Sequence, residues 1–239
     1  MPISKTDFVR GLQCEKMLWL DAHAPEHRII PPEVQEKLDS GNEFGDKAMG
    51  VFGPFTETTC FKEDGRLYYA GMIEKTKALI ENNTPVICEA AFTWYGNYCA
   101  ADILKKEGDG YVLYEVKNTY FPRAEFVTDL GFQRLILRKN GINLLQSKLL
   151  LRGDAPPQDY QPSASVLSED NVEFFHHDGF CYKAVDVTKA AKVAERLAEK
   201  RIFELGKLKR KDACMPQIDQ GEHCEKPYRC WYYEYCKGK

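Results

Sequence analysis

Three short apolar runs lie close together near the middle of the chain. Residues 86–92, 98–104 and 111–116 are rich in β-branched and aromatic side chains, the composition of strands. Between them stand Tyr95-Gly96-Asn97 and Glu107-Gly108-Asp109-Gly110. Glycine reaches positive φ freely and Asn or Asp tolerates it, so two successive antiparallel hairpins are predicted. Upstream, apolar positions recur at helical spacing. Ser4-Lys5-Thr6-Asp7 has the form of an N-terminal cap, and Phe8, Leu12, Met17, Leu18 and Trp19 carry a helix to about Leu20, with Cys14 inside it. Pro31-Pro32 opens a second helix through Val34 and Leu38 toward Met49, weakened by Ser40-Gly41 and Gly45 and ended by Gly53-Pro54. Residues 72–81 make a third. Downstream, Phe126, Leu130, Gln133 and Leu137 lie on one helical stripe that Asn140-Gly141 stops. Residues 143–151 read as a strand, 153–165 as a polar, proline-rich loop, and 172–175 with 180–185 as a hairpin around His176-His177-Asp178-Gly179. Adjacent strand histidines point to opposite faces, which argues against a shared metal there. Thr188 caps a last helix through Val193, Leu197 and Leu205. The pattern is that of an α/β protein with a mixed sheet flanked by helices.

The central runs contain acids. Glu89, Asp102 and Glu115 interrupt apolar stretches, where an unpaired carboxylate is costly to desolvate unless a cation or hydrogen bonds compensate it. Side chains alternate along a strand, so Glu115 and Lys117 share a face. Asp102 reaches the same place if the hairpin register sets it opposite Glu115. Two carboxylates and the Val116 carbonyl would give magnesium an all-oxygen half-shell, with Glu89 as an outer ligand and Lys117 beside it. The plainer reading is a surface Glu and Lys, since a Glu-x-Lys triplet arises by chance about once in a chain of this size. Its place after two hairpins, with Asp102 one strand earlier, favours a site.

The 239 residues suffice for one substantial core. A formal net charge of -3 means that any contact with nucleic acid needs a local basic surface. Arg134, Arg138 and Lys139, and Lys207, Lys209, Arg210 and Lys211, are candidates, and either group could equally be a solvated helix face. No apolar run approaches a membrane span and the first residues lack the form of a signal peptide, so a cytoplasmic location is expected. Nine cysteines, an odd number, argue against a closed disulfide framework. Cys60, Cys88, Cys99 and Cys181 stand singly in apolar surroundings and read as small buried hydrophobes. The C-terminal HCEKPYRCWYYEYC places Cys224, Cys230 and Cys236 near Pro227, with Cys214 upstream, and such clustered thiols point to metal. Their spacing is not a C-x2-C zinc knuckle, and three ligands need a fourth from elsewhere.

Asp102 with Glu115-Val116-Lys117 resembles the PD-(D/E)xK nuclease superfamily, although Ala101 stands where the motif proline would. Asp129 to Gln133 is similar to the D-x-x-x-Q pattern that RecB-like nucleases place on the following helix, without the aromatic residue that often comes next. Gly11-Leu12-Gln13-Cys14-Glu15-Lys16-Met17-Leu18-Trp19-Leu20 resembles the N-terminal segment of the CRISPR-associated exonucleases of RecB type, the fourth Cas family, and of AddB-like relatives. The resemblance implies a restriction-endonuclease-like fold, one domain over residues 1–239 with a nuclease core at 85–152, and a cluster-binding region formed by 1–30 and 207–239. It implies a [4Fe-4S] cluster on Cys14, Cys224, Cys230 and Cys236, joining the chain ends; replacement of one ligand by Cys214 or His223, or zinc in place of iron, stays open. It further implies Mg2+ or Mn2+ at Glu89, Asp102, Glu115 and Val116, catalysis by Asp102, Glu115, Lys117 and Gln133, and phosphodiester hydrolysis on DNA with single-stranded ends. The setting would be CRISPR spacer acquisition, beside an integrase complex, or DNA repair. The rival expectation is a non-catalytic iron-sulfur adaptor that binds DNA and docks an integrase or helicase. Where relatives carry a histidine or acid on an early helix, this chain offers only Glu43.

Overall fold

The two hairpins form the middle of a sheet. In a computed structural model of the chain, which describes residues 1–30, 32–162, 166–169 and 171–237, strands β2 (Val86–Trp94), β3 (Asn97–Glu107) and β4 (Gly110–Val116) pair antiparallel in succession. The expectations placed on Pro31 and on residues 163–165 lie outside the described residues. At the first turn Tyr95 and Gly96 both take positive φ, 49° and 78°, as a two-residue hairpin of right-handed twist requires. β4 then pairs in parallel with β5 (Leu144–Arg152), reached through helix α5 (Ala124–Lys139). β7 (Phe180–Asp186) joins β5 antiparallel and β6 (Glu173–His177) closes that edge. A two-residue strand β1 (Thr56–Glu57), too short to leave a periodic signal, runs parallel to β2 at the other edge. The seven-stranded order is β1-β2-β3-β4-β5-β7-β6.

Helices cover both faces. On one, Phe8 of α1 (Lys5–Gln13), Leu130, Leu135 and Ile136 of α5, and Ile202 and Leu205 of α6 (Thr188–Lys207) pack with Ile87, Leu104, Leu113 and Leu149 of the sheet. Helix α5 lies between sheet and α6, which is why almost its whole circumference is buried. Gly131 permits that approach, since a Cβ there would stand 2.5 Å from Ala194 Cβ. On the other face, Phe44 and Ala48 of α3 (Pro32–Ala48), with Met49, cover Val86, Ile103, Tyr114 and Leu150. Their burial carries α3 through Ser40-Gly41 and Gly45 without a break, against a cost of about 1 kcal/mol per helical glycine. Helix α4 (Tyr69–Glu81) begins three residues before the expected Met72 and is tied to β2 through Thr76, whose hydroxyl accepts the Ala91 N–H at 2.8 Å.

The first predicted helix is two. Cys14 takes extended backbone (φ -158°, ψ 115°) and separates α1 from α2 (Glu15–His23). Phe8 and Leu18 belong to the sheet core, while Met17 and Leu20 pack with Cys224, Cys230 and Tyr232 of the C-terminus, and one straight helix could not serve both clusters. Thr188 is also not a cap: it is the first helical residue, and its hydroxyl accepts the Ser147 N–H at 2.8 Å. The two chain ends are bound together by hydrogen bonds. Trp19 Nε1 donates to the Ala213 carbonyl at 2.9 Å, Gln13 Nε2 to those of His223 and Tyr228 at 2.8 and 2.7 Å, and Tyr232 Oη to Asp21 at 2.8 Å. Among the described residues no helix is long and apolar enough to cross a membrane.

Candidate metal centre and thiol pocket

The ladder between β3 and β4 ends at Ile103 and Tyr114, so Asp102 and Glu115 face one another one step beyond it. There the strands part, and Asp102 Oδ2 accepts the Val116 N–H at 2.7 Å in place of a ladder bond. Between β2 and β3 the pairing passes from Cys88–Ile103 to Ala90–Ala101, leaving out Glu89 and Asp102. Glu89 has φ 54°, a left-handed conformation that costs a non-glycine residue on the order of 1–3 kcal/mol. The Thr58 hydroxyl holds its carbonyl. Cys88 and Ile103 pack on one sheet face and Ala90 and Ala101 on the other, so both strands turn over at this step. Glu89, Asp102 and Glu115 thus form a row across three adjacent strands.

Glu115 is 1% exposed and faces α1 and α5. Lys117 Nζ lies 2.7 Å from its Oε1, Lys5 Nζ lies 3.0 and 3.1 Å from Oε1 and Oε2, and Gln133 Nε2 donates to Oε2. Lys117 also pairs with Asp129 at 2.8 Å, and Lys5 stands 3.8 Å from Asp102. Lys5 is brought here by the start of α1. Ser4 and Asp7 form a reciprocal capping box, Ile3 N–H donates to Asn97 Oδ1 at 2.9 Å, and Lys209 pairs with Asp7 at 2.7 Å. Gln133 is fully buried and its Oε1 has no hydrogen-bond partner.

Electrostatics follow from this packing. Burial acts to raise the Glu115 carboxyl, but Lys117 and Lys5 outweigh it and hold the group below the usual range. Asp102 is raised, by burial and then by the Glu115 charge, and Glu89 is pushed up to about 7 by burial and then by Asp102. Burial works to lower Lys117, yet Asp129 and Glu115 raise it well above its ordinary value. Four carboxylates, those of Glu89, Asp102, Glu115 and Asp129, meet two ammoniums, so full ionisation leaves two negative charges unmatched. That excess and the hard oxygen donors fit a divalent cation such as Mg2+ or Mn2+. Among the described residues no group of three or more His, Cys, Asp and Glu side chains is disposed to hold a metal ion directly. Lys5 stands between Glu115 and Asp102, and Lys117 between Glu115 and Asp129.

Of the sequence candidates, Glu89, Asp102, Glu115, Lys117 and Gln133 come together, with Val116 offering its N–H to Asp102. Two members were not placed in the site from sequence: Asp129, noted only as the start of the D-x-x-x-Q pattern, and Lys5. Asp129 carried a signal, since it sits four residues before Gln133 on one helix face. Lys5 carried none. Four basic candidates divide differently. Arg134 is corrected: it is 1% exposed and its guanidinium is bonded to Glu195 at 3.0 Å and Ser147 at 2.7 Å. Lys209 is committed to Asp7, whereas Arg138 and Arg210 keep exposed side chains while pairing with Glu195 and Asp212. Glu43 pairs with Lys47 on the outer face of α3.

Cys14, Cys224, Cys230 and Cys236 line one pocket with Met17, Leu20 and Tyr232. All are free thiols. Burial raises Cys14, and raises Cys230 to about 11, with the other pocket cysteines adding to the shift in each case. Thiols so placed ionise readily only beside a cation. His223 also lines the pocket, and Cys224 Sγ lies 3.6 Å from its Nε2; Cys214 is exposed and outside it. Cys88 and Cys99 are buried as expected, but Cys60 and Cys181 are only half-buried, which corrects their reading as core residues. No family model matches the chain, and no curated protein matches it.

Proposed function

We propose that this chain is a metal-dependent DNA nuclease of restriction-endonuclease-like fold that hydrolyses phosphodiester bonds, acting as an exonuclease on single-stranded ends. The observation that carries the reading is the row of Glu89, Asp102 and Glu115 across three strands, with Lys117 against Glu115. Bound Mg2+ or Mn2+ would activate water and offset charge developing on phosphate. Asp102 and Glu115 would hold it, with Glu89 and the Val116 carbonyl at its margin. Asp129 keeps Lys117 charged and directed at the row, where its ammonium meets a phosphate oxygen or the attacking water. Gln133 holds Glu115 in place through Nε2, its own Oε1 being buried without a partner.

Four thiols line one pocket, and a [4Fe-4S] cluster, whose irons each take one thiolate, would be held by them. The cluster would reinforce a junction of the chain ends that hydrogen bonds already make. The resemblance of residues 11–20 to CRISPR-associated exonucleases points to spacer acquisition beside an integrase complex, with DNA repair as the alternative setting.

One observation favours a second reading, a non-catalytic iron-sulfur adaptor on DNA: Glu115 is already engaged by two lysines and a glutamine. Labelled single strands incubated with manganese or with chelator separate the two. Metal-dependent shortening, abolished in Glu115→Gln and reduced ~10²- to 10⁴-fold in Lys117→Ala, supports the nuclease. Retention without shortening supports the adaptor.

A further inference from the structure

We propose that Lys5 is a built-in counter-ion of the acid row, which occupies Glu115 and Asp102 in the resting protein and must withdraw before a divalent cation is bound. This rests on the metal-dependent reading above.

A carboxylate accepts about four hydrogen bonds, two on each oxygen. Glu115 is met on both oxygens: Lys5 donates to Oε1 and Oε2, Gln133 donates to Oε2, and the Lys117 ammonium forms an ion pair with Oε1 at 2.7 Å. No acceptor position remains for a metal until a donor leaves. Gln133 is fully buried on α5 and cannot swing out. Lys117 has a second carboxylate, Asp129, at 2.8 Å that holds it in place. Lys5 is held less firmly: it is not fully buried as Gln133 is, and its second carboxylate, Asp102, stands at 3.8 Å against 2.8 Å from Lys117 to Asp129. Its side chain is 24% exposed, it stands in the first turn of α1 at the rim of the site, and its contacts on the row are Glu115 and, more distantly, Asp102 at 3.8 Å. These are the two acids most suited to ligate metal, so a lysine and a cation compete for one place. A flexible side chain with an exposed flank can turn its ammonium to water once a cation takes over its charge on the row.

The competition is measurable without turnover. Manganese binding is followed by titration calorimetry on wild type, Lys5→Met and Lys5→Arg, each checked by thermal unfolding. Removing a like charge beside the bound ion is expected to tighten Mn2+ binding at least ~10-fold in Lys5→Met, while Lys5→Arg stays at or below wild type. Equal or weaker binding by Lys5→Met overturns the proposal while leaving the metal reading intact. Absence of manganese binding in all three overturns both. If Lys5→Met is unfolded in metal-free buffer, because the row has lost a counter-ion, added Mn2+ is expected to restore its melting transition. Failure of manganese to do so counts against the proposal.

Discussion

One carboxylate oxygen of Asp102 takes the backbone N–H of Val116 at 2.7 Å, at the step where β3 and β4 part. The same side chain therefore finishes a strand ladder and stands beside Glu115. These roles separate by substitution. Asp102→Asn keeps an acceptor for the N–H and is expected to hold most of the stability while losing metal affinity. Asp102→Ala leaves the N–H unmet and is expected to lose ~1–3 kcal/mol as well. Urea unfolding together with manganese titration reads both, and equal stability of the two variants would dismiss the structural role.

The position of Lys5 depends on the capping box between Ser4 and Asp7 that encloses it. Burial acts to raise the Asp7 carboxyl, but hydrogen bonds from the Lys209 side chain and the Ser4 backbone outweigh it and lower the group below its ordinary 3.8. A depressed folded value means that its contribution to stability is present above pH 3.8 and is lost as pH falls through the folded value. Asp7→Asn is expected to flatten the acid limb of the stability–pH curve and to lower stability at neutral pH by ~0.5–1.5 kcal/mol, the net worth of a hydrogen bond. Thermal unfolding from pH 2 to 7, a range chosen about the ordinary carboxylate values, provides the check.

Cys14→Ala is expected to remove iron and to lower the melting temperature as much as Cys230→Ala, because each takes one thiol from the same pocket. Cys214→Ala, altering an exposed thiol outside that pocket, is expected to leave both unchanged. Iron and sulfide analysis of anaerobically purified protein measures this, and His223→Ala tests the remaining rival ligand.

Arg134 and Arg138 share Glu195 but differ in depth. Arg134→Met leaves Glu195 buried with only a partly exposed partner, and is expected to destabilise the fold by ~3–5 kcal/mol, as breaking a buried pair does. Arg138→Gln with Arg210→Gln, which leaves Arg134 to neutralise Glu195, is expected to spare the fold yet weaken DNA binding and reduce its salt dependence. Filter binding at several salt concentrations distinguishes these, and an unchanged salt slope would assign both arginines to solvent.

Much of the sheet was legible because its signals are local. The Tyr95-Gly96 turn needs positive φ, and the apolar runs on either side of it are rich in β-branched and aromatic residues, so β2, β3 and β4 could be read within a few residues. The pairing of Glu115 with Lys117 was readable for the same reason, since two residues apart on a strand means one face. The turn-over at Glu89 and Asp102 was not, because it takes one residue out of pairing on each of two strands, and no single strand records that in its own alternation. The break at Cys14 was hidden because both flanks are helical, and only the competing demands of two hydrophobic clusters force the chain to bend there. Lys5, Arg134 and Lys209 show the same limit for charge. Sequence determines that a side chain is cationic, but which carboxylate faces it, Glu115, Glu195 or Asp7, is decided by packing between elements distant in the chain.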